Sequence, residues 1–313
     1  MTSRGTILFF SLCVLPVCLG ARAGGQSPAP ARAAPQATEG KPVERLQFSS
    51  DAAIVTYFVR AGAVDEIRKS IGDWRDRAVA SQDPQIAQQL RGWKLYEAAE
   101  HGPRDSVVLM SVIYPVIQGA DYALPVDLNF NGSSSPAPGS ETLIGLSRNE
   151  LTLVEDFAKN VPQPSPPGGA SPPRAPSSDS PFVFSSDAAV LTLFVKRDRI
   201  PGFEQVVRRV HEGLAASRRP IRLEQAAGWK LFKSKEQGPN GTVLYLSLIS
   251  PVVKGAEYSV PQVLQEAYPQ EAPQLLSLYR DALAGLSRTE LRLLEDFGAP
   301  PVAGASERQV HAH

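Results

Sequence analysis

The chain has 313 residues, of which 42% are apolar, and its 32 basic residues balance 32 acidic ones for a formal charge of zero. The length suggests about two domains, and the apolar share is enough for an ordinary packed core. The balanced charge argues against a nucleic-acid or anionic-membrane partner, because such binding depends on neutralising many phosphates.

The first segment begins with a single early charge, Arg4, continues through an apolar run over 7–19, and ends in Ala21-Arg22-Ala23. A basic start, a short apolar run and a small-x-small site make a secretory signal peptide over 1–23, cleaved near Ala23. The run is shorter than the roughly 20 residues that a membrane span needs. We therefore expect an exported protein, periplasmic or extracellular, with no membrane span in the mature chain. Cys13 and Cys18 are the only cysteines, so a mature chain starting at Gly24 has none. Lipidation at Cys18 and an uncleaved anchor remain as alternatives. Residues 24–45, rich in Pro, Ala and Gln, read as a disordered spacer.

A duplication follows. Residues 48–122 align with 184–258 at a constant offset of 136, with 28 identities in 75 positions. Phe48-Ser-Ser-Asp51 matches Phe184-Ser-Ser-Asp187, and Gly92-Trp-Lys94 matches Gly228-Trp-Lys230. After a slip of four the match resumes at Gly145-Leu-Ser-Arg148 and Gly285-Leu-Ser-Arg288. The domains are thus 46–157 and 182–297, separated by a Pro/Ser/Gly linker over 158–181 and followed by a tail over 298–313.

Within repeat 1, 52–59 is a β-branched and aromatic run that reads as a strand. It is apolar on both parities, which requires both faces covered. Val64, Ile67, Ile71, Trp74 and Ala78 form one stripe of an amphipathic helix, matched by Ile200, Phe203, Val207, Val210 and Leu214. Residues 92–98 and 107–114 read as a hairpin, and the turn Gly238-Pro-Asn-Gly241 in repeat 2 carries the strong Asn-Gly signal. In repeat 2, 260–284 predicts a helix broken by Pro269 and Pro273, with Gly285 as its stop. The counterpart over 123–140 in repeat 1 reads as loop, so the second helix is degenerate there. Residues 150–157 and 290–297 read as last strands, although Ser147-x-x-Glu150 and Ser287-x-x-Glu290 also match a capping box.

The order β-α-β-β-α-β predicts an α+β protein of two tandem ferredoxin-like repeats whose sheets pack together as an intramolecular pseudo-dimeric barrel. With this duplication the chain resembles the dimeric α/β-barrel superfamily, which includes small antibiotic-biosynthesis-type monooxygenases and stress-responsive barrel proteins. Gly-Trp-Lys and Pro-Val-x-x-Gly-Ala-x-Tyr are the local signatures, and the whole is similar to exported bacterial proteins.

Chemistry is sparser. His101, His211, His311 and His313 have no repeat counterparts and no persuasive metal spacing. A haem like that of some barrel relatives would need an axial ligand, and none stands out. No nucleophilic triad is legible. No metal and no cofactor are expected. The candidate ligand-binding residues are Trp93, Lys94, Tyr122, Trp229, Lys230 and Tyr258, repeated at equivalent positions. For the tryptophans core packing competes, for the lysines a solvated face, and for the tyrosines a hydroxyl that fixes a turn. The sequence supports two functions. The first is an exported, non-enzymatic barrel binding a small apolar ligand or a partner protein. The alternative is a cofactor-independent oxygenase or lyase acting inside the barrel. Convergent polar groups in a lumen would mark the enzyme, and a filled, dry interior would favour the structural or partner-binding reading.

Overall fold

Strand-forming runs and helical stripes settle into two similar series in the computed structural model, which describes residues 45–124, 143–161 and 180–299. Repeat 1 contains β1 (Ala52–Val59), α1 (Val64–Ala80), α2 (Pro84–Arg91), β2 (Trp93–Ala98), β3 (Val107–Ile113) and β4 (Leu143–Asp156). Repeat 2 contains β5 (Ala188–Val195), α3 (Ile200–Ala215), α4 (Pro220–Ala227), β6 (Trp229–Gln237), β7 (Val243–Ile249), α5 (Val260–Ala267), α6 (Ala272–Ala282) and β8 (Leu283–Asp296). The expected signal peptide, its cleavage at Ala23, most of the spacer, the linker and the tail lie outside the described residues. So does the expected loop beyond Leu124.

Two sequence expectations are corrected. Gly285 does not stop a helix; α6 ends at Ala282, and Gly285 sits in β8 opposite Phe194. An added Cβ there would make an ordinary contact with that ring, 3.5 Å from its Cδ2. The capping-box reading also fails. Ser147 and Glu150 are strand residues, and the Glu150 carboxylate accepts from the Ser49 and Ser50 hydroxyls at 3.0 and 2.9 Å. The short helices α2 and α4 are additions. Each starts on a proline, whose fixed φ suits a first turn.

The eight strands close a barrel in the order β1-β3-β2-β8-β5-β7-β6-β4, and every neighbour pair is antiparallel. Closure removes every free sheet edge. It also explains the strands that are apolar on both parities. One parity of all eight strands supplies a single buried cluster, including Ile54, Tyr96, Val112, Leu151, Val190, Phe232, Leu248 and Leu291. A cluster drawn from every strand is the barrel interior, and it is packed with side chains. The other parity faces outward beneath the helices, in one cluster around Trp93 and another around Trp229.

The repeats meet along two seams, β2–β8 and β4–β6. At each seam the last phenylalanine of one repeat crosses onto the tryptophan of the other. Phe297 stacks at 4.5 Å on Trp93 and Phe157 at 4.7 Å on Trp229. The Phe297 and Phe157 amides donate to the tryptophan carbonyls. The Ser-Ser-Asp motif serves the same seams. β4 and β8 each bulge there, and the amides of Leu153 and Leu293 donate to the carboxylates of Asp51 and Asp187, at 2.9 and 3.0 Å.

Candidate functional site

The repeated Gly-Trp-Lys has a packing cause. A Cβ on Gly92 would lie 2.8 Å from the Pro115 carbonyl oxygen, and one on Gly228 would collide with that of Pro251. Only glycine permits this approach. The next residue then points outward under the helices. Trp93 is fully buried and Trp229 nearly so. Their indole N–H groups donate to Ser111 and Ser247, the latter at 2.6 Å.

The lysines alternate to the other side and pair across the seams. Lys94 Nζ is 3.0 Å from Asp296 and Lys230 Nζ 3.1 Å from Asp156. The tyrosines close the Pro-Val-x-x-Gly-Ala-x-Tyr turns. Their hydroxyls accept from the amides of Ile117 and Val253, each at 2.9 Å. Gly119 and Gly255 in those turns have φ of 80° and 76°, a region that favours glycine.

Of these six candidates, Trp229 and Tyr258 line a cavity in repeat 2, between the outer sheet face and α3, α5 and α6. The cavity measures about 30 Å³, room for one or two water-sized molecules or a diatomic gas. Its walls are Phe157, Phe182, Leu191, Leu193, Phe203, Val206, Val207, Val210, Leu231 and Val260, joined by Tyr279 and Ser247. Since Trp229 donates to Ser247 Oγ, the serine proton remains available as a donor. Burial pushes the Tyr279 hydroxyl up to about 12. Burial likewise raises Tyr258 to about 12, against the lowering effect of its bond from Val253. Both phenols therefore keep their protons at neutral pH and act as donors or dipoles, not as bases.

The cavity arises from side-chain exchange between the repeats. Trp74 and Tyr57 of repeat 1 stand where Val210 and Leu193 stand in repeat 2. Trp74 packs edge-on against Trp93 and Phe297, with ring centroids 5.5 and 5.7 Å apart. No such ring fills repeat 2. Sequence reasoning missed Leu193, Val210, Phe157 and Tyr279. A signal was present for the first two, as large-to-small changes between aligned repeats.

His211 stands behind Phe157. Its Nδ1 is 2.9 Å from Glu155 Oε1 and its Nε2 2.6 Å from the Lys159 carbonyl. Its repeat 1 counterpart, Arg75, makes the same pair of contacts with Glu295 at 2.8 Å and the Ala299 carbonyl at 2.6 Å. His211 is thus a seam tie. A haem does not fit the cavity: its walls carry no His or Cys, and both His211 nitrogens are engaged. Among the described residues no group of three or more His, Cys, Asp or Glu could hold a metal ion. No helix among them is long and apolar enough to cross a membrane.

No family model and no curated protein matches the sequence. Solved structures do. A monooxygenase-named protein of Fusobacterium nucleatum matches at 12% identity and TM-score 0.36, covering 78% of this chain and 92% of its own. An anthrone oxidase-like protein matches at 14% and 0.31, over 79% and 92%. A chlorite dismutase variant of Candidatus Nitrospira defluvii matches at 11% and 0.33, over 80% and 97%. These likenesses speak to fold. The names they carry are those of enzymes, the class of the alternative expectation and not of a non-enzymatic binding barrel; the alternative's site inside the barrel is not met, since that interior is packed with side chains. The fold itself is a closed antiparallel barrel, with all eight strands supplied by one chain.

Proposed function

We propose that the protein is an oxygenase-type enzyme that works without a bound cofactor, in the repeat 2 cavity and not in the barrel interior. The observation that carries this reading is an apolar cavity with two hydroxyl donors and an indole on its walls. Dioxygen is apolar and of matching size. An enolisable aromatic substrate, such as an anthrone, would enter by parting α5 and α6 from the sheet. A substrate that has already lost its proton to solvent would present its enolate oxygen to the Ser247 and Tyr279 hydroxyls; its carbanionic carbon would add dioxygen to give a hydroperoxide, which takes a proton back from solvent. Trp229 and Tyr258 shape the floor. A lyase acting on the same enolate is the second reading, supported by the same donors.

Oxygen uptake tests this, using anthrone and related aromatic ketones, with quenching of tryptophan fluorescence as the binding readout. Leu193→Phe places in repeat 2 the ring that Tyr57 supplies in repeat 1. We expect uptake above the spontaneous rate in the wild type and about a tenfold loss in L193F, about 1.4 kcal/mol in the barrier. The near-ultraviolet circular dichroism should be kept. If no aromatic ketone quenches the fluorescence in a way that L193F abolishes, the reading is wrong.

The strand orders β4-β1-β3-β2 and β8-β5-β7-β6 further support reading each repeat as a ferredoxin-like unit and the whole as an intramolecular pseudo-dimer. We also propose export, with cleavage after Ala23. Intact mass of the secreted protein tests it, and a retained Cys18 would refute it.

A further inference from the structure

Repeat 2 carries a second cavity, of about 350 Å³, where α3 ends and α4 begins. Gly213 sets its floor. A Cβ there would be 2.8 Å from the Ala267 Cβ, so the glycine lets α3 and α5 touch. Above an apolar base that includes Leu214, Val263 and the Tyr268 ring stand Arg218, Arg219 and Arg222, with Glu266 as the one acid.

Arg222 is buried and fixed. Its Nε and Nη2 fork onto the Glu266 carboxylate at 3.0 and 2.9 Å, and its Nη1 donates to Gln225 and to the Glu257 carbonyl, each at 2.7 Å. Arg219 reaches the same carboxylate at 2.7 Å. Burial pushes Glu266 up, but Arg222, Gln262 and Arg219 outweigh it and bring the carboxyl down to about 2. Arg218 is exposed, with no partner among the described residues. One carboxylate faces three guanidinium groups, an excess of two positive charges in a concave space.

Repeat 1 shows what is unusual here. Its aligned residues are Gln82, Asp83 and Ile86. Asp83 caps α2, its carboxylate accepting from the Gln85 amide at 2.8 Å. In repeat 2 the cap position is Arg219, which gives α4 no side-chain cap. A cation at a helix N-terminus opposes the macrodipole. The Arg222 and Leu223 amides donate to the Arg219 carbonyl at 2.9 and 3.4 Å and Pro220 has no amide proton, so the missing cap leaves the Ile221 amide wanting an acceptor. Local rules broken in this way gather at functional sites.

We infer that this cavity binds a small phosphomonoester. Its phosphate would meet the arginine excess beside the Ile221 amide, and its organic part would lie on the Leu214, Val263 and Tyr268 base. Guanidinium forks suit phosphate geometry.

The full chain, titrated calorimetrically with inorganic phosphate, phenyl phosphate and phenylacetate, tests the site. Phenyl phosphate should bind saturably and more tightly than inorganic phosphate, and both should weaken as salt rises. Arg218→Gln, an exposed change, should weaken binding about tenfold. Arg219→Asn should weaken it similarly while leaving the melting temperature unchanged or higher, because Asn is a good cap. Leu193→Phe, aimed at the other cavity, should leave phosphate binding intact. Absence of saturable phosphate binding would overturn the inference, as would R218Q and R219N variants that bind like wild type. Phenylacetate binding as tightly as phenyl phosphate would also overturn it, since the site would then be one for single negative charges.

Discussion

The two repeats share a backbone plan but fill it differently. Under the helices of repeat 1, Trp74, Trp93, Tyr122 and Phe297 interlock with ring centroids 4.5–5.7 Å apart. Under those of repeat 2, Val210 replaces the first of these rings, and a cavity opens beside Trp229. The polar residues differ in the same sense. Repeat 1 closes a helix with Asp83, while repeat 2 offers arginines to a cavity. Duplication gives two copies of one scaffold, filled differently beside each tryptophan.

The largest expected effect breaks this comparison most directly. Trp93→Ala should cost about 3–5 kcal/mol, and Trp229→Ala should fall at the low end of that range because space already adjoins it. Urea melts of the two variants measure this. A smaller loss for Trp93 than for Trp229 would end the idea of a dense and an open copy.

Buried hydroxyls sharpen it at a smaller scale. Tyr57 is buried with its hydroxyl unpartnered, and burial, then Asp121, raises its pKa. Removing that hydroxyl in Tyr57→Phe should stabilise by about 1–3 kcal/mol, the cost of an unsatisfied buried group. Tyr245 in repeat 2 instead donates to Glu204 at 2.8 Å, so Tyr245→Phe should destabilise, by about 0.5–1.5 kcal/mol. Thermal melts that give both changes the same sign would contradict this account.

The smallest effect concerns the seam. The hydrogen bond from Lys235 draws Glu150 down to about 2 from an ordinary 4.5; burial opposes it, and Ser50 and Ser49 assist. The folded value lies below the unfolded one. The contribution is therefore complete above about pH 4.5 and is lost as pH falls toward 2. Lys235→Ala should change neutral-pH stability by only about 0–1 kcal/mol, as exposed pairs do. It should nonetheless flatten the acid limb of a circular-dichroism titration. An acid limb identical to wild type would show that this pair does not tie the repeats.

Much of the framework was readable in the residues. The strand at 52–59, the helical stripe from Val64 to Ala78 and the broken helix around Pro269 follow from local propensity and period. Glu150 and Gly285 were misread because their partners are distant: a serine pair about a hundred residues away for one, and pairing opposite Phe194 of β5 for the other. The candidate site was only partly legible. Trp229 and Tyr258 stood out as repeated aromatics. Phe157 did not, because it reaches the cavity from the opposite repeat.

The sequence by itself determined the duplication, the element order and the strands with two apolar faces, since each depends on residues near one another or on one repeated pattern. The tertiary structure decided which apolar face became the packed barrel interior and which faced the helices. It also decided that each repeat would finish the other's core, and that a missing ring in one copy would leave a hole. Those outcomes depend on volumes and partners that meet only when eight strands close, and close packing makes the loss of a single ring at Val210 open a space that no local pattern announces.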